Sequence, residues 1–317
     1  MSSSSYTNGF RHLRQALKPI AKQYGRAVSY FLTDAFFAHI RHGVTPNQYI
    51  GFCFYAKSST ERREYYTRRD FKRFEKQLNS QEHYNTFWNK NEFNKAFAQF
   101  VQRDWIYCGN STEEEIARFI SGHAKVIVKP QDKSSGKGVH ILKNEDSPQL
   151  LAGSRVLIEE YIDQHHSIAE INPSSVNSVR IYTLLDRNHY PHILSAMLRA
   201  GGQGSEVDNY HSGGVVYPLD IETGVVFAPG RSIKGETYIF HPGTEAKVIG
   251  LEIPDWDGLK KFVFDAATLF PDARMIAWDI AVLENGFEMI EANYNGDPGM
   301  MQTPGGKGKK REILKYL

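Results

Sequence analysis

Apolar positions change their period along the chain near residue 124. Upstream, Leu13, Leu17 and Ile20 recur at spacings of three and four, and so do Phe36, Phe37 and Ile40. This predicts helix over 10–43, stopped by Gly43 and Pro46. Residues 58–79 repeat the helical period, with Tyr65, Phe71, Phe74 and Leu78 as the buried stripe. Another helix is expected over 90–103, with Phe93, Phe97, Phe100 and Val101 inward. In "STEEEIARFISG", Ser111 or Thr112 caps a helix whose first turn holds three glutamates, where the helix dipole favours them. At most one short strand, near "YIGFCFYA", is expected in this half. Downstream, short β-branched runs alternate with turns: "KVIVKP", "GVHIL", "RVLIEEY", "SVRIYTLL", "HILSAMLRA" and "GVVYPLDIETGVVFA" read as strands. One late helix, "DWDGLKKFVFDAATLF", precedes two strands flanking "LENGF".

Composition narrows the class. A chain of 317 residues, 41% hydrophobic and 23% charged, can bury a sizeable core in one or two domains. Its 17 Tyr and 19 Phe suit aromatic-lined clefts. The net charge of +2 argues neither for nor against nucleic acid. The basic run Arg62, Arg63, Arg68, Arg69, Lys72 and Arg73 is interleaved with Glu61, Glu64, Asp70 and Glu75, so it reads as a solvated helix face, and no nucleic-acid partner is expected. Cys53 and Cys108 have neither zinc-site spacing nor the numbers of a disulfide framework. The start "MSSSSYTNGF" lacks the order of a signal peptide, and "VSYFLTDAFFAHI" is about half a membrane span and contains Asp34. A cytoplasmic protein without membrane insertion is expected; nothing in the sequence sets an oligomeric state.

Three segments carry candidate chemistry. "KPQDKSSGKGVHIL" (129–142) lacks the spacing of a Walker A loop, and Ile141 occupies the third glycine position of a dinucleotide fingerprint. A strand follows it, not a helix. It is either a plain hairpin tip or a glycine-rich phosphate loop in which backbone N–H groups, Ser134 and Ser135 face phosphate and Lys129 reaches over as a point charge. "RVLIEEYIDQH" runs an apolar strand into Glu159, Glu160, Tyr161 and Ile162. A strand leaving its sheet there exposes backbone groups that could read an adenine edge, with an acid nearby for ribose. "MIAWDIAVLENGFEMIEANYNGD" reads as a hairpin. A three-residue loop, Glu284 to Gly286 with Gly286 left-handed, pairs Asp279 with Glu291; a two-residue loop turns Asp279 to the opposite face. Two facing carboxylates repel unless a cation separates them: either a lysine bridges an edge pair, or Asn293 on the same face completes a hard-oxygen set suited to Mg²⁺.

In this order, "VIVKP", "SSGKGV", "VLIEEYI", "SVNSVRI" and "WDIAVLENGFEMIEANYN" resemble the ATP-grasp superfamily over about residues 90–300. "GFCFYAKSSTERREYY", "QHHSIAEINPSSVNSVRIYT", "VDNYHSGG" and "HPGT" resemble its sugar-transfer-associated branch, predicted to act in cell-surface polysaccharide synthesis. The resemblance implies an α+β ATP-grasp fold, two antiparallel-sheet lobes clasping ATP. A helical region (1–86) would precede an N-terminal lobe with the glycine-rich loop (87–162) and a C-terminal lobe with the magnesium hairpin (163–317). It implies that Lys129 contacts the α- and β-phosphates, with Lys90 or Lys95 as a second lysine, and that Ser135, Gly136, Lys137 and Gly138 close over the phosphates. Glu159, Glu160, Tyr161 and Ile162 form the adenine hinge, and Asp163 is assigned to ribose. Arg180 matches the arginine that reaches the transferred phosphate, and Asp279, Glu291 and Asn293 match the ligands of two Mg²⁺.

The implied reaction is an ATP-dependent carboxylate–amine ligation through an acyl phosphate, on small-molecule substrates in surface-polysaccharide or secondary metabolism. The alternatives are a kinase of the same fold and a non-catalytic nucleotide-binding module. Arg199, Asp208, Asn209, His211, Lys234 and His241 lie in turn-rich segments where an acyl acceptor could bind. The basic tail with Lys307, Lys309, Lys310 and Arg311 either closes over an anionic substrate or is a basic C-terminal helix. Many ATP-grasp enzymes begin with an α/β domain; a helical start removes that guide to substrate.

Overall fold

The structure is a computed structural model. It describes residues 3–131, 138–144, 151–205, 207–210, 213–233, 235–294 and 296–317, with side chains from residue 13 onward.

Helices fill the chain up to residue 96, but not in the expected pieces. Ser3–Gln23 and Val28–His42 replace one helix over 10–43, because the chain turns at Gly25 with φ +61°. Leu13, Leu17 and Ile20 are buried as expected. Phe36, Phe37 and Ile40 are half exposed, since the second helix packs through Phe31, Ala35 and Ala38 instead. "YIGFCFYA" forms no strand. Thr45, Pro46 and Gln48 supply an N-cap, a proline at the first turn and the reciprocal cap bond, so Pro46–Gly51 is helical and Phe54–Ala56 continues as a 3₁₀ turn. Residues 58–79 likewise split into Ser59–Arg63 and Arg68–Leu78, each opened by its own capping box, Ser58 with Glu61 and Thr67 with Asp70. The expected helix over 90–103 stops at Ala96, yet Phe93, Phe97, Phe100 and Val101 are all buried.

Two antiparallel sheets follow. The smaller holds β1 (Trp105–Tyr107), β2 (Lys125–Pro130), β3 (His140–Lys143) and β4 (Val156–Glu160) in the order β1-β4-β2-β3. The helix Glu113–Ser121, capped by Thr112, covers one face through Ile116 and Ile120, which meet Val126, Val128 and Ile158. Alternation turns Ile127, Lys129, Leu157 and Glu159 to the other face.

The larger sheet holds β5 (Ser178–Leu185), β6 (Pro191–Ala200), β7 (Val215–Leu219), β8 (Gly230–Ser232), β9 (Thr237–Tyr238), β10 (Met275–Leu283) and β11 (Gly286–Asn293). Their order is β11-β10-β5-β6-β7-β8-β9. Val179, Ile181, Trp278 and Ile280 face a core that includes the helix Trp256–Ala267. Tyr182, Leu184, Met197 and Ala277 face the opposite way, toward Tyr66, Phe71 and Met300. The central strands are therefore packed on both sides, and every residue of β5 is buried. Among the described residues no helix is long and apolar enough to cross a membrane.

Candidate active site

Charge enters the large sheet on one face. Arg180 on β5 lies directly across from Asp279 on β10 and grips it in two parallel bonds, Nε to Oδ1 at 2.6 Å and Nη2 to Oδ2 at 2.5 Å. Arg199 on β6 donates Nη1 to the same Oδ2 at 2.6 Å and Nη2 to Asp208 Oδ1 at 3.0 Å. Asp208 is itself fixed by the Ser178 backbone N–H, at 3.2 Å, and by the Ser178 hydroxyl. Burial alone would raise the Asp279 carboxyl, but Arg180 and Arg199 outweigh it and hold the group well below the usual carboxylate range.

Glu291 on β11 lies directly across from Asp279 on the other side. Its Oε1 is 4.0 Å from Arg180 Nη2 and 3.4 Å from Asn293 Nδ2. The side chain is 48% exposed. Partial burial, and then the charge of Asp279, push its carboxyl up.

The Asp279–Glu291 pairing forms by an unexpected route. The loop has two residues, since Leu283 pairs with Gly286, and that register would carry Asp279 away from Glu291. A β-bulge between Asp279 and Ile280 places one extra residue, Ile290, in β11 and restores the pairing. Gly286, at φ +112°, still has the positive φ that the turn needs.

The small sheet contributes a second charged cluster. Lys129 pairs with Glu159, whose Oε1 also accepts from Asn94 at 2.8 Å and from Arg103 Nη2 at 2.6 Å. Arg103 bonds Glu288 and the Met289 carbonyl, the latter at 2.6 Å, on β11. It thereby ties the Lys129 face of the small sheet to the strand carrying Glu291. Burial would raise Glu159, but Arg103 and Lys129 hold it well below the glutamate range. For Glu288 burial wins over Arg103, and its carboxyl is pushed up. Asn94 and Arg103 gave no sign in the sequence, because Glu159 and Glu288 lie 56 and 185 residues from Arg103.

The other expected residues fall into three groups. Lys90 donates to the Pro130 carbonyl at 3.3 Å, beside Lys129, whereas Lys95 makes a surface pair with Glu92 at 3.1 Å and is 55% exposed. Of the two lysines, the structure brings Lys90 to β2. Glu160 and Asp104 exchange bonds, and the Tyr161 N–H donates to Lys125 O at 3.2 Å under the Lys125 ammonium. The segment expected to be the hinge is thus held by the sheet up to Tyr161, with Ile162 and Asp163 in the irregular link that follows. Gly138 ends the loop at φ +74°; Ser135, Gly136, Lys137, His211 and Lys234 lie outside the described residues. Asn209 accepts from Gly214 N–H at 3.0 Å in a turn. His241, expected as a substrate candidate, is 1% exposed; its Nε2 meets Gly201 O at 2.7 Å and its Nδ1 meets Thr244 Oγ1 at 3.1 Å, so both ring nitrogens have partners within the protein. Burial lowers its pKa.

The oxygens of Asp279, Glu291 and Asn293 fit a hard divalent cation. The strand pairing sets the Asp279 and Glu291 carboxylates directly across from each other, a like-charge pair that such a cation relieves, and the amide of Asn293 presents Oδ1 to the same space when turned over.

Residues 151–315, just over half of the chain, match the family described as sugar-transfer associated ATP-grasp. Among solved structures, the chain is similar to ATP-grasp ligase PsnB complexed with a phosphomimetic variant of its minimal precursor, Mg and ADP. The identity is 14% and the TM-score 0.45, over 76% of this chain and 61% of that one. It is similar to the ADP complex of N5-carboxyaminoimidazole ribonucleotide synthetase, at 11% identity and TM-score 0.42, over 71% and 50% of the two chains. It is also similar to D-alanine–D-alanine ligase from Bacillus anthracis, at 16% identity and TM-score 0.41, over 73% and 64%. The chain thus spans less than two thirds of each of these proteins. No curated protein matches it. On the family match, the chain belongs to the sugar-transfer-associated ATP-grasp family.

Proposed function

We propose that the protein is an ATP-dependent ligase that joins a carboxylate to an amine through an acyl phosphate. The observation that carries this reading is the convergence of two buried guanidiniums, Arg180 and Arg199, on Asp279 opposite Glu291. Buried cations beside a carboxylate pair form a preorganised cradle for a phosphoryl group that gains charge on its oxygens. Lys129 and Lys90 would hold the α- and β-phosphates, the link from Glu160 to Asp163 the adenosine, and Asp279, Glu291 and Asn293 the Mg²⁺. Bound there, Mg²⁺ neutralises phosphate charge and orients the polyphosphate chain.

The substrate carboxylate attacks the γ-phosphorus, the bond to the β-phosphate oxygen breaks, and ADP leaves. Arg180 uses three of its donor positions on Asp279 and near Met300 Sδ, at 3.1 Å. Sharing Asp279 with a cation frees some of them for the transferred group. The amine then adds to the acyl carbon, phosphate leaves with the C–O electron pair, and the amine proton passes to solvent. A role in surface-polysaccharide or secondary metabolism belongs to the same proposal, and the family description, sugar-transfer associated, supports a sugar context.

The test is ADP release over a panel of carboxylic acids, with and without amines, using hydroxylamine as a trap. Amine-dependent release with a hydroxamate product supports ligation. Release that yields a stable phosphorylated hydroxy compound, with no hydroxamate, identifies a kinase and overturns the ligase reading.

A further inference from the structure

The helical region holds a second concentration of positive charge that the ATP reading leaves unused. A cavity of about 390 Å³ there is lined by Arg41, Arg62, Arg63, Arg69 and Lys310, and by no acidic side chain. That volume lies in the range of small-molecule sites, ~300–1,000 Å³.

In the sequence these cations look balanced by neighbouring acids. In the fold the acids are committed elsewhere. Glu61 accepts from the Ser58 N–H at 2.8 Å and hydroxyl at 2.7 Å as a helix cap. Asp70 caps through the Thr67 N–H at 3.0 Å and pairs with Lys310 at 2.8 Å. Glu64 turns to Arg311 at 2.9 Å. Asp34 offsets Arg62 through bonds of 2.8 and 2.7 Å. Arg69 spends its donors on neutral carbonyls, Ile40 O at 3.0 Å and Arg41 O, and Gly43 allows that approach because a Cβ there would run into the Arg69 side chain. The guanidiniums of Arg41 and Arg63 have no hydrogen bond or ion pair to a described residue. Three charges, on Arg41, Arg63 and Arg69, therefore have no carboxylate partner. His42, at the same cavity, has its pKa lowered by burial and then by Arg62, Arg69, Lys310 and Arg63.

We propose that this cavity is an anion site separate from the Asp279–Glu291 centre, built for a pyrophosphate group. Planar guanidiniums match phosphate oxygens in forked pairs. Several of them around one concavity suit two linked phosphates better than a single carboxylate. Convergence into a concavity, instead of spread along a face, favours a small ligand over a nucleic-acid backbone. The site adjoins the catalytic face: Gln302 accepts from Tyr66 N–H at 2.9 Å and donates to Tyr66 O at 2.8 Å, and its helix, Pro298–Gln302, carries Met300 against Arg180.

The test is calorimetric titration of the full chain with inorganic pyrophosphate in EDTA, on wild type, Arg41→Ala, Arg63→Ala and Lys129→Ala. The component of pyrophosphate binding that depends on Arg41 and Arg63 is expected to persist in Lys129→Ala, whatever Lys129 contributes at the nucleotide site. Each arginine variant is expected to weaken binding about tenfold, the effect of one lost charge-assisted hydrogen bond. Parallel arms use uridine diphosphate, citrate and a short single-stranded RNA. Tighter binding of the nucleoside diphosphate assigns the group to a larger ligand; equal binding assigns it to the free anion. Absent binding, binding indifferent to Arg41 and Arg63, or loss of the component that depends on them in Lys129→Ala overturns the site. Citrate equal to pyrophosphate, or RNA binding with pyrophosphate silent, overturns the ligand class. None of these outcomes depends on ATP turnover, so the site and the ligase reading fail separately.

Discussion

Asp279 pairs with both Arg180 and Arg199, and Arg199 also with Asp208, and this changes what a substitution at Asp279 reports. Asp279→Asn leaves two buried guanidiniums short of a counter-charge, at a cost of about 3–5 kcal/mol in stability. Lost turnover in that variant would mix with lost fold. Glu291 is half exposed, so Glu291→Gln should stay within roughly 1 kcal/mol of wild type while ATP turnover falls about 100-fold. Steady-state ADP release and the unfolding midpoint, measured together, check this; unchanged turnover removes Glu291 from the metal set. Glu159 gives a pH prediction. Its folded pKa is depressed below an unfolded value of about 4.3, so the unfolded chain binds more protons in the window just below that pH. Its stabilising contribution is complete above about pH 4.3 and is lost as pH falls through the folded pKa. Glu159→Gln should therefore lower stability at neutral pH and flatten its decline between about pH 4 and 2, read by denaturant titration.

At the scale of elements, the strands were legible and some of the joints between them were not. β2, β5 and β6 stand where β-branched runs place them, because burial on one or both faces leaves a local signature. The Asp279–Glu291 pairing was legible too, but by an incorrect loop length, since a bulge has no sequence signature of its own. The break at Gly25 and the outward face of Phe36, Phe37 and Ile40 were missed because two stripes compete on one helix, and tertiary packing, not periodicity, chooses between them. The two candidate lysines of Lys90–Ala96 part company for a similar reason: one end of the helix abuts β2 and the other meets solvent. Lys90→Ala should weaken ATP binding about tenfold, the cost of one lost charge-assisted bond. Lys95→Ala should leave binding and stability within ~0.5 kcal/mol, as for an exposed ion pair. Equal effects of the two substitutions, by calorimetry with ATP and Mg²⁺, would contradict this placement.

At the scale of the molecule, the helical region and the two sheets share apolar cores, and a few buried polar groups bridge them as well. Arg103 joins the small sheet to β11, and Gln302 joins the helical region to the helix that abuts Arg180. These contacts span 56 to 236 residues of sequence, beyond the reach of any local pattern, which is why motif order revealed the family while the groups that set the geometry stayed hidden. The central claim is that the Lys129 face of one sheet and the Asp279–Glu291 face of the other enclose one nucleotide site. The most direct test is thermal unfolding of wild type and Lys129→Ala with ATP and Mg²⁺, separately and together. A ligand that binds only the folded state stabilises it by about 2.7 kcal/mol at 100 times its Kd, a rise of several degrees in midpoint. The account predicts that this rise needs both ATP and Mg²⁺ and disappears in Lys129→Ala. No rise in wild type, or an equal rise in the variant, would contradict it.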